Sequence, residues 1–249
     1  MLTTVAFSEA QDSAVLANVA ALADQHVRVS GDDIIVPRAV PNIVGVYFLG
    51  LNFTLGQVAS PSLRRRVNLD IEPGDRLALP LATTKSYLDY SRSPIPLDPE
   101  EALNALAAED GVGAIRTTAG IWLADGPLSP ITGDIVTVRA TSATALVANV
   151  WSNVALTFTQ TLPAGRWQVV GFRAQSANMQ LARLVFVDGA WRPGVIGTNA
   201  DNDSDVPIFR RGGVGSFGEF SHNTPPTVDC LANAADATQV FHLDLIKVG

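Results

Sequence analysis

The chain has 249 residues, of which 47% are apolar and only 16% charged, against roughly 25% charged in an ordinary soluble protein. Its net charge of −7 argues against a general nucleic-acid coat, and its single cysteine excludes an intramolecular disulfide and a cysteine-based metal site. So little charge predicts a surface largely buried against other chains; a well-packed monomer with an alanine-rich surface is the competing reading.

Residues 3–7 predict a short strand. Ser8 with Gln11 makes a capping-box pattern, and the stretch to Asp24 predicts a helix with Val15, Leu16, Val19, Leu22 and Ala23 on its core face. Strands are expected at 27–29 and 34–36 around the Gly31-Asp-Asp33 turn. Residues 43–55 read as a long strand or a bulged pair, with Gly45 and Gly50 as bulge candidates. The apolar run within it, residues 43–51, is too short to cross a bilayer as a helix. Arg64-Arg-Arg66 reads as a solvated edge strand, since charge blunts edges against uncontrolled pairing. A further strand is expected at 85–91. After the break at 94–99, Asp98, Pro99 and Glu101 predict a second helix with Leu103, Leu106 and Ala107 on its apolar face, ended by Gly111 and Gly113. Residues 114–123 return to β structure.

Gly126-Pro-Leu-Ser-Pro130 is the best boundary. Beyond it, strands are expected at 135–139, 144–150, 155–161, 167–172, 181–187, 208–209, 216–220 and 240–248. Eight is the number a jelly roll requires. The first half carries a fainter copy of this cadence: Glu72-Pro-Gly-Asp75 opens a strand much as Pro163-Ala-Gly165 does, and residues 121–130 resemble residues 185–193. The expected fold is therefore all-β, a double jelly roll of two antiparallel sandwiches in tandem. Residues 1–128 form the first, with two short helices, and residues 129–249 the second.

No catalytic constellation is visible. His26, His222 and His242 lack metal-ligand spacing, and no nucleophile elbow, P-loop or dinucleotide fingerprint occurs. His242 lies two residues before Asp244, which predicts a hydrogen-bonded structural histidine. Sandwich-type glycosidases need two facing carboxylates; Glu219 alone among the glutamates lies in a strand-like segment, without an obvious partner. Cys230 reads as a buried structural thiol, and Trp122, Trp151, Trp167 and Trp191 as core. One acidic cluster stands out. Asp201, Asp203 and Asp205 alternate along a polar segment, as oxygen ligands of Ca²⁺ do, but the Gly and distal Glu of an EF-hand are missing. Neutralisation by arginine, from Arg210, Arg211 or a neighbouring chain, or solvation by water is favoured over the cation. No other cofactor is expected.

The strings Ala124-Asp-Gly-Pro-Leu-Ser-Pro-Ile-Thr-Gly-Asp134, Leu162-Pro-Ala-Gly-Arg-Trp-Gln-Val-Val-Gly171, Leu184-Val-Phe186 through Trp191-Arg-Pro193, and the Gly-rich residues 209–219 carry a family resemblance. They resemble the virion proteins of tailless icosahedral bacteriophages with a double jelly-roll capsid. The second half resembles them in these motifs and the first half only in architecture. The resemblance implies a non-enzymatic major capsid protein whose homotrimers form pseudo-hexagonal capsomers. Its implied partners are neighbouring capsomers, other virion proteins such as a penton or spike, and an internal membrane, with no specific nucleic-acid binding. Its implied location is the virion. With no basic, signal-like opening, the chain is expected to be made in the host cytoplasm. The alternative is a carbohydrate- or receptor-binding spike or adhesin module, which needs aromatic and polar groups clustered at one rim.

Overall fold

The computed structural model describes residues 1–24, 26–51, 54–66, 69–71, 83–111, 115–198 and 206–249. The chain divides into two compact units, Met1–Pro127 and Leu128–Gly249.

The first unit contains β1 (Leu2–Gln11), β2 (Ala17–Val19), β3 (Arg28–Ser30), β4 (Asp33–Ile35), β5 (Asn42–Leu51), β6 (Leu55–Ala59), α1 (Pro61–Arg66), β7 (Leu69–Ile71), β8 (Thr83–Asp89), β9 (Ile95–Pro96), β10 (Ala102–Ala108) and β11 (Ile115–Ala124). One sheet runs β1-β11-β5-β8, and the other β4-β10-β6-β7, with β3 outside β4. The short β2 and β4 both pair with β10, at Ala105↔Val19 and Leu103↔Ile34, so together they occupy one strand position.

The second unit contains β12 (Val136–Ser142), β13 (Trp151–Ala155), β14 (Thr157–Phe158), β15 (Arg166–Gln175), β16 (Met179–Val185), β17 (Gly194–Thr198), β18 (Gly218–Ser221), β19 (Thr227–Ala232) and β20 (Gln239–Lys247). Here β12-β20-β15-β18 forms one layer and β13-β19-β16-β17 the other. A short parallel pairing, Ala174↔Gly197 and Gln175↔Thr198, stitches the layers together. In both units the principal strands follow one order: first, eighth, third and sixth in one layer, second, seventh, fourth and fifth in the other. That is the jelly-roll order, present twice. Apolar residues from facing layers fill each interior: Phe7, Val46, Phe48, Leu103 and Ile121 in the first, Phe172, Leu184, Val228, Phe241 and Leu243 in the second.

The repeat extends to a backbone irregularity. In the first unit the register between β5 and β11 shifts so that Val44 is an extra residue before Gly45. In the second the register between β15 and β20 shifts so that Val170 is extra before Gly171. Both are bulges on the third strand opposite the eighth. Across from the glycines stand Trp122 and Asp244, whose first-strand partners are Thr4 and Thr137.

Neither helix expected in the first half forms; β1, β2 and β10 occupy these stretches with connecting coil. Ser8 to Gln11 continue β1 against Ile115 to Thr118, and the Ser8 hydroxyl shares a 3.1 Å hydrogen bond with Thr118 instead of capping a helix. Val15 is exposed while Val19 is buried, where one helical face would have buried both. In β10, alternate residues Leu103, Ala105 and Ala107 are buried, and β6 pairs along Asn104 to Ala108. Two-sided sheet pairing overrides the helix preference of a short Ala- and Leu-rich run. The one α-helix among the described residues lies where an edge strand was expected. Pro61 starts it, and the Ser60 hydroxyl caps it by accepting the Leu63 N–H at 3.1 Å. In the second half, residues 144–150 are not a strand, and Pro207–Phe209 is a 3₁₀ turn. The strands of this half not foreseen are β17, β19 and, apart from Ala155, β13.

Candidate functional site

Asp201, Asp203 and Asp205 lie outside the described residues. Among the described residues no group of three His, Cys, Asp or Glu side chains is placed to hold a metal ion. No helix among them is long and apolar enough to cross a membrane. Cys230 is buried, and burial, with Asp229 adjacent, pushes its thiol far up from the ordinary range. That suits a packing role. The His222 Nδ1 accepts the Gly165 N–H at 3.3 Å.

The charged group that sequence placed beside His242 has other partners. Asp244 is fully buried, and Arg210 grips it from Nε to Oδ2 at 2.9 Å and from the terminal nitrogen to Oδ1 at 3.0 Å. The Thr137 hydroxyl donates to Oδ1 at 2.6 Å and the Arg211 N–H to Oδ2 at 2.8 Å. Burial pushes the Asp244 carboxyl up; the hydrogen bonds from Arg210, Thr137 and Arg211, with the Arg210 charge, outweigh it and hold the group below the ordinary range. A Cβ on Gly171 would collide with this carboxylate and lie 2.7 Å from the Arg211 nitrogen, so the bulge glycine makes the room. The same segment is fastened to the bulge backbone: Gly212 donates to the Val170 carbonyl and Phe217 to the Val169 carbonyl at 2.8 Å. Arg210 is thus committed to Asp244, which removes it as the main counter-charge for the acidic cluster. All this is anchoring, not chemistry on a substrate.

The open site is a cleft of about 590 Å³ in the second unit, within the range of about 300–1,000 Å³ usual for small-molecule sites. The turn leaving β16 contributes Phe186, Asp188 and Trp191; β18 with its flank contributes Phe217, Glu219, Phe220 and Ser221; Arg166 and Thr224 complete the rim. The turn is fixed from inside. Buried Arg192 donates to the Gly189 carbonyl at 2.6 Å and the Trp191 carbonyl at 3.1 Å. Gly218, at φ +146°, has no Cβ to strike Phe186; one placed there would lie 2.6 Å from the ring. Phe186 and Trp191 remain half-buried at the mouth, while Phe217 and Phe220 form the buried wall.

Glu219 therefore does sit in a cleft, with Asp188 as a second carboxylate lining it. Neither has the surroundings of a general acid. Asp188 is exposed, and Glu219, 38% exposed, is ion-paired to the exposed Arg166 at 2.8 Å. A glycosidase acid needs desolvation to stay protonated. The cleft offers binding groups without a general acid. Sequence reasoning missed Phe186, Asp188 and Trp191 as site residues because it placed Phe186 in a strand over 181–187 and Trp191 in the core, whereas both are half-buried at the cleft. The available signal was two aromatics flanking Asp188-Gly189, too many for a solvent turn.

No family model and no curated protein matches the chain. Among solved structures, it is similar to the major capsid protein P2 from bacteriophage PM2. The identity is 9%, the match covers 100% of this chain and 98% of that one, and the TM-score is 0.28. It is also similar to the STIV MCP, at 9% identity over 99% of this chain and 97% of that one, with a TM-score of 0.29. The fold assignment rests on this chain's own strand order.

Proposed function

We propose that this chain is the major capsid protein of a tailless icosahedral phage. The observation that carries the reading is the exact-order jelly roll present twice in one chain, with the same bulge at the same strand pair. A chain with two similar units can, as a homotrimer, present six. Six similar units tile a near-hexagonal lattice that a single roll per chain would need six chains to build. The low charge supports the same reading, since capsomer sides must bury against one another. The role is structural, and its mechanism is geometric. The location is the virion, and the partners are further copies, vertex or spike proteins, and an underlying membrane. Asp201, Asp203 and Asp205 take their counter-charge from arginine of a neighbouring copy or from Arg211, so a chelator leaves assemblies intact. If chelation dissolved them and Ca²⁺ alone restored them, the cation would be the counter-charge.

Electron microscopy of the purified protein tests the proposal. Trimers, hexagonal sheets or closed shells are expected. A chain that stays monomeric at high concentration in every salt tried would overturn it.

A further inference from the structure

The cleft in the second unit is more than a packing defect. Its lining groups are of two kinds. Phe186 and Trp191 present half-exposed aromatic surface, backed by the buried Phe217 and Phe220. Asp188, Glu219, Arg166, Ser221 and Thr224 supply carboxylate, guanidinium and hydroxyl groups around them. From this we infer that the cleft binds an uncharged saccharide.

The chemistry selects that class. A sugar ring has an apolar C–H face and a circumference of hydroxyls, so it needs an aromatic platform beside hydrogen-bonding groups. A carboxylate accepts two vicinal hydroxyls at once, and Asp188 is exposed to do so. The balance of charge excludes acidic sugars. Arg166 is already paired with Glu219 at 2.8 Å, which leaves Asp188 as the uncompensated charge among the lining groups. The site is also preformed. Arg192 ties down the turn that carries Phe186, Asp188 and Trp191, and the missing Cβ of Gly218 lets the Phe186 ring lie against β18. Preorganisation lowers the ordering cost that makes sugar binding weak. Asp188 is exposed and Glu219 is held by Arg166, an arrangement suited to binding hydroxyls.

This inference does not depend on shell formation. The test is saturation-transfer NMR on the purified full chain with maltose, cellobiose and di-N-acetylchitobiose, and with sialyllactose as the acidic control. At least one neutral disaccharide should show saturation transfer and the acidic one should not. Trp191→Ala and Asp188→Asn should each weaken binding by about tenfold or more, with unchanged circular dichroism. Asp188→Asn, a substitution at an exposed position, guards against misreading a folding defect in the tryptophan variant. No response from any neutral disaccharide would overturn the inference. So would binding that survives both substitutions, preference for the acidic sugar, or release of hydrolysis products.

Discussion

Opposite the bulge glycine, the eighth strand of the first jelly roll places Trp122 and that of the second places Asp244. Each stands across from a threonine of the first strand, Thr4 or Thr137. In the first roll the space above the glycine is filled by aromatic packing: the Tyr87 ring meets Trp122 edge-to-face at 5.7 Å between centroids. In the second it is filled by a carboxylate held by Arg210, Thr137 and the Arg211 N–H. The same backbone device thus accepts two chemistries. What differs is what it secures. Tyr87 and Trp122 both belong to strands of one sheet, whereas Arg210 and Arg211 belong to a connecting segment that must be fastened down. A directional, charge-assisted bond fixes a loop in one register better than apolar contact does.

The comparison can be broken by substitution. Trp122→Ala should have the largest effect, about 4 kcal/mol of lost stability, because a fully buried indole leaves a cavity. The loss should be independent of pH, and denaturant titration at two pH values checks this. Arg210→Ala should cost about 3 kcal/mol near neutrality by leaving the buried Asp244 carboxylate without its main partner. Here the sign of the pH effect is informative. Asp244 titrates below its unfolded value, so its contribution is full above that value and lost as pH falls through the folded one. The Arg210→Ala penalty should therefore shrink below about pH 4. A penalty that stays constant into acid would mean the ion pair is not what fastens the segment.

The bulge glycines give a smaller contrast. Gly171→Ala drives a methyl against the Arg211 backbone nitrogen, which cannot swing away, and should cost about 3 kcal/mol. Gly45→Ala meets the end of the Tyr87 side chain, which can, and should cost about 1 kcal/mol. Equal losses would remove the distinction between a backbone-locked and a side-chain-filled bulge. The smallest effect concerns the first roll's own buried carboxyl. Burial pushes Glu109 up; the Thr117 hydroxyl pulls it down less strongly, and Asp110 adds to the rise. This is the opposite sign from Asp244, so its stability contribution is present at low pH and lost as pH rises through the folded value. Glu109→Gln keeps the acceptor for Thr117 and should stabilise by about 1 kcal/mol or less at neutrality. Thermal melts from pH 4 to 8 should show the variant's advantage growing with pH.

The repeated architecture was legible because strand alternation and turn residues repeat in the sequence, most clearly around Trp167 to Phe172 and Phe241 to Val248. The false helices came from residues that satisfy two periods at once. Leu103 and Ala107 are spaced four apart, which suits a helical face, and also share a strand face, and only the β4, β2 and β6 partners decide between them. The strand β17 was hidden by Gly194 and Gly197, whose small size lets neighbouring backbone approach; a Cβ on Gly197 would lie 2.6 Å from the Met179 side chain. The apparent internal copy misled in detail. Residues 121–124 close the eighth strand of their roll, whereas their look-alike around Val185 ends a fourth strand. The Asp244 anchor left no local trace, since Arg210 and Asp244 are 34 residues apart. The cleft was half legible: Glu219 stood out as a lone strand carboxylate, but its neighbours arrive from a separate turn.

In each roll the last strand made, β11 or β20, is the one inserted between the first and the third. A growing chain therefore cannot complete the first roll until residue 124 has left the ribosome, nor the second until residue 247 has. Until then β1 and β5, and later β12 and β15, each wait with an open flank. Closing such distant pairings is slow, and an unfinished roll is exposed to strands of other nascent chains. Under the proposed capsid role, which demands many copies at once, the period of greatest risk is then the chain's own synthesis.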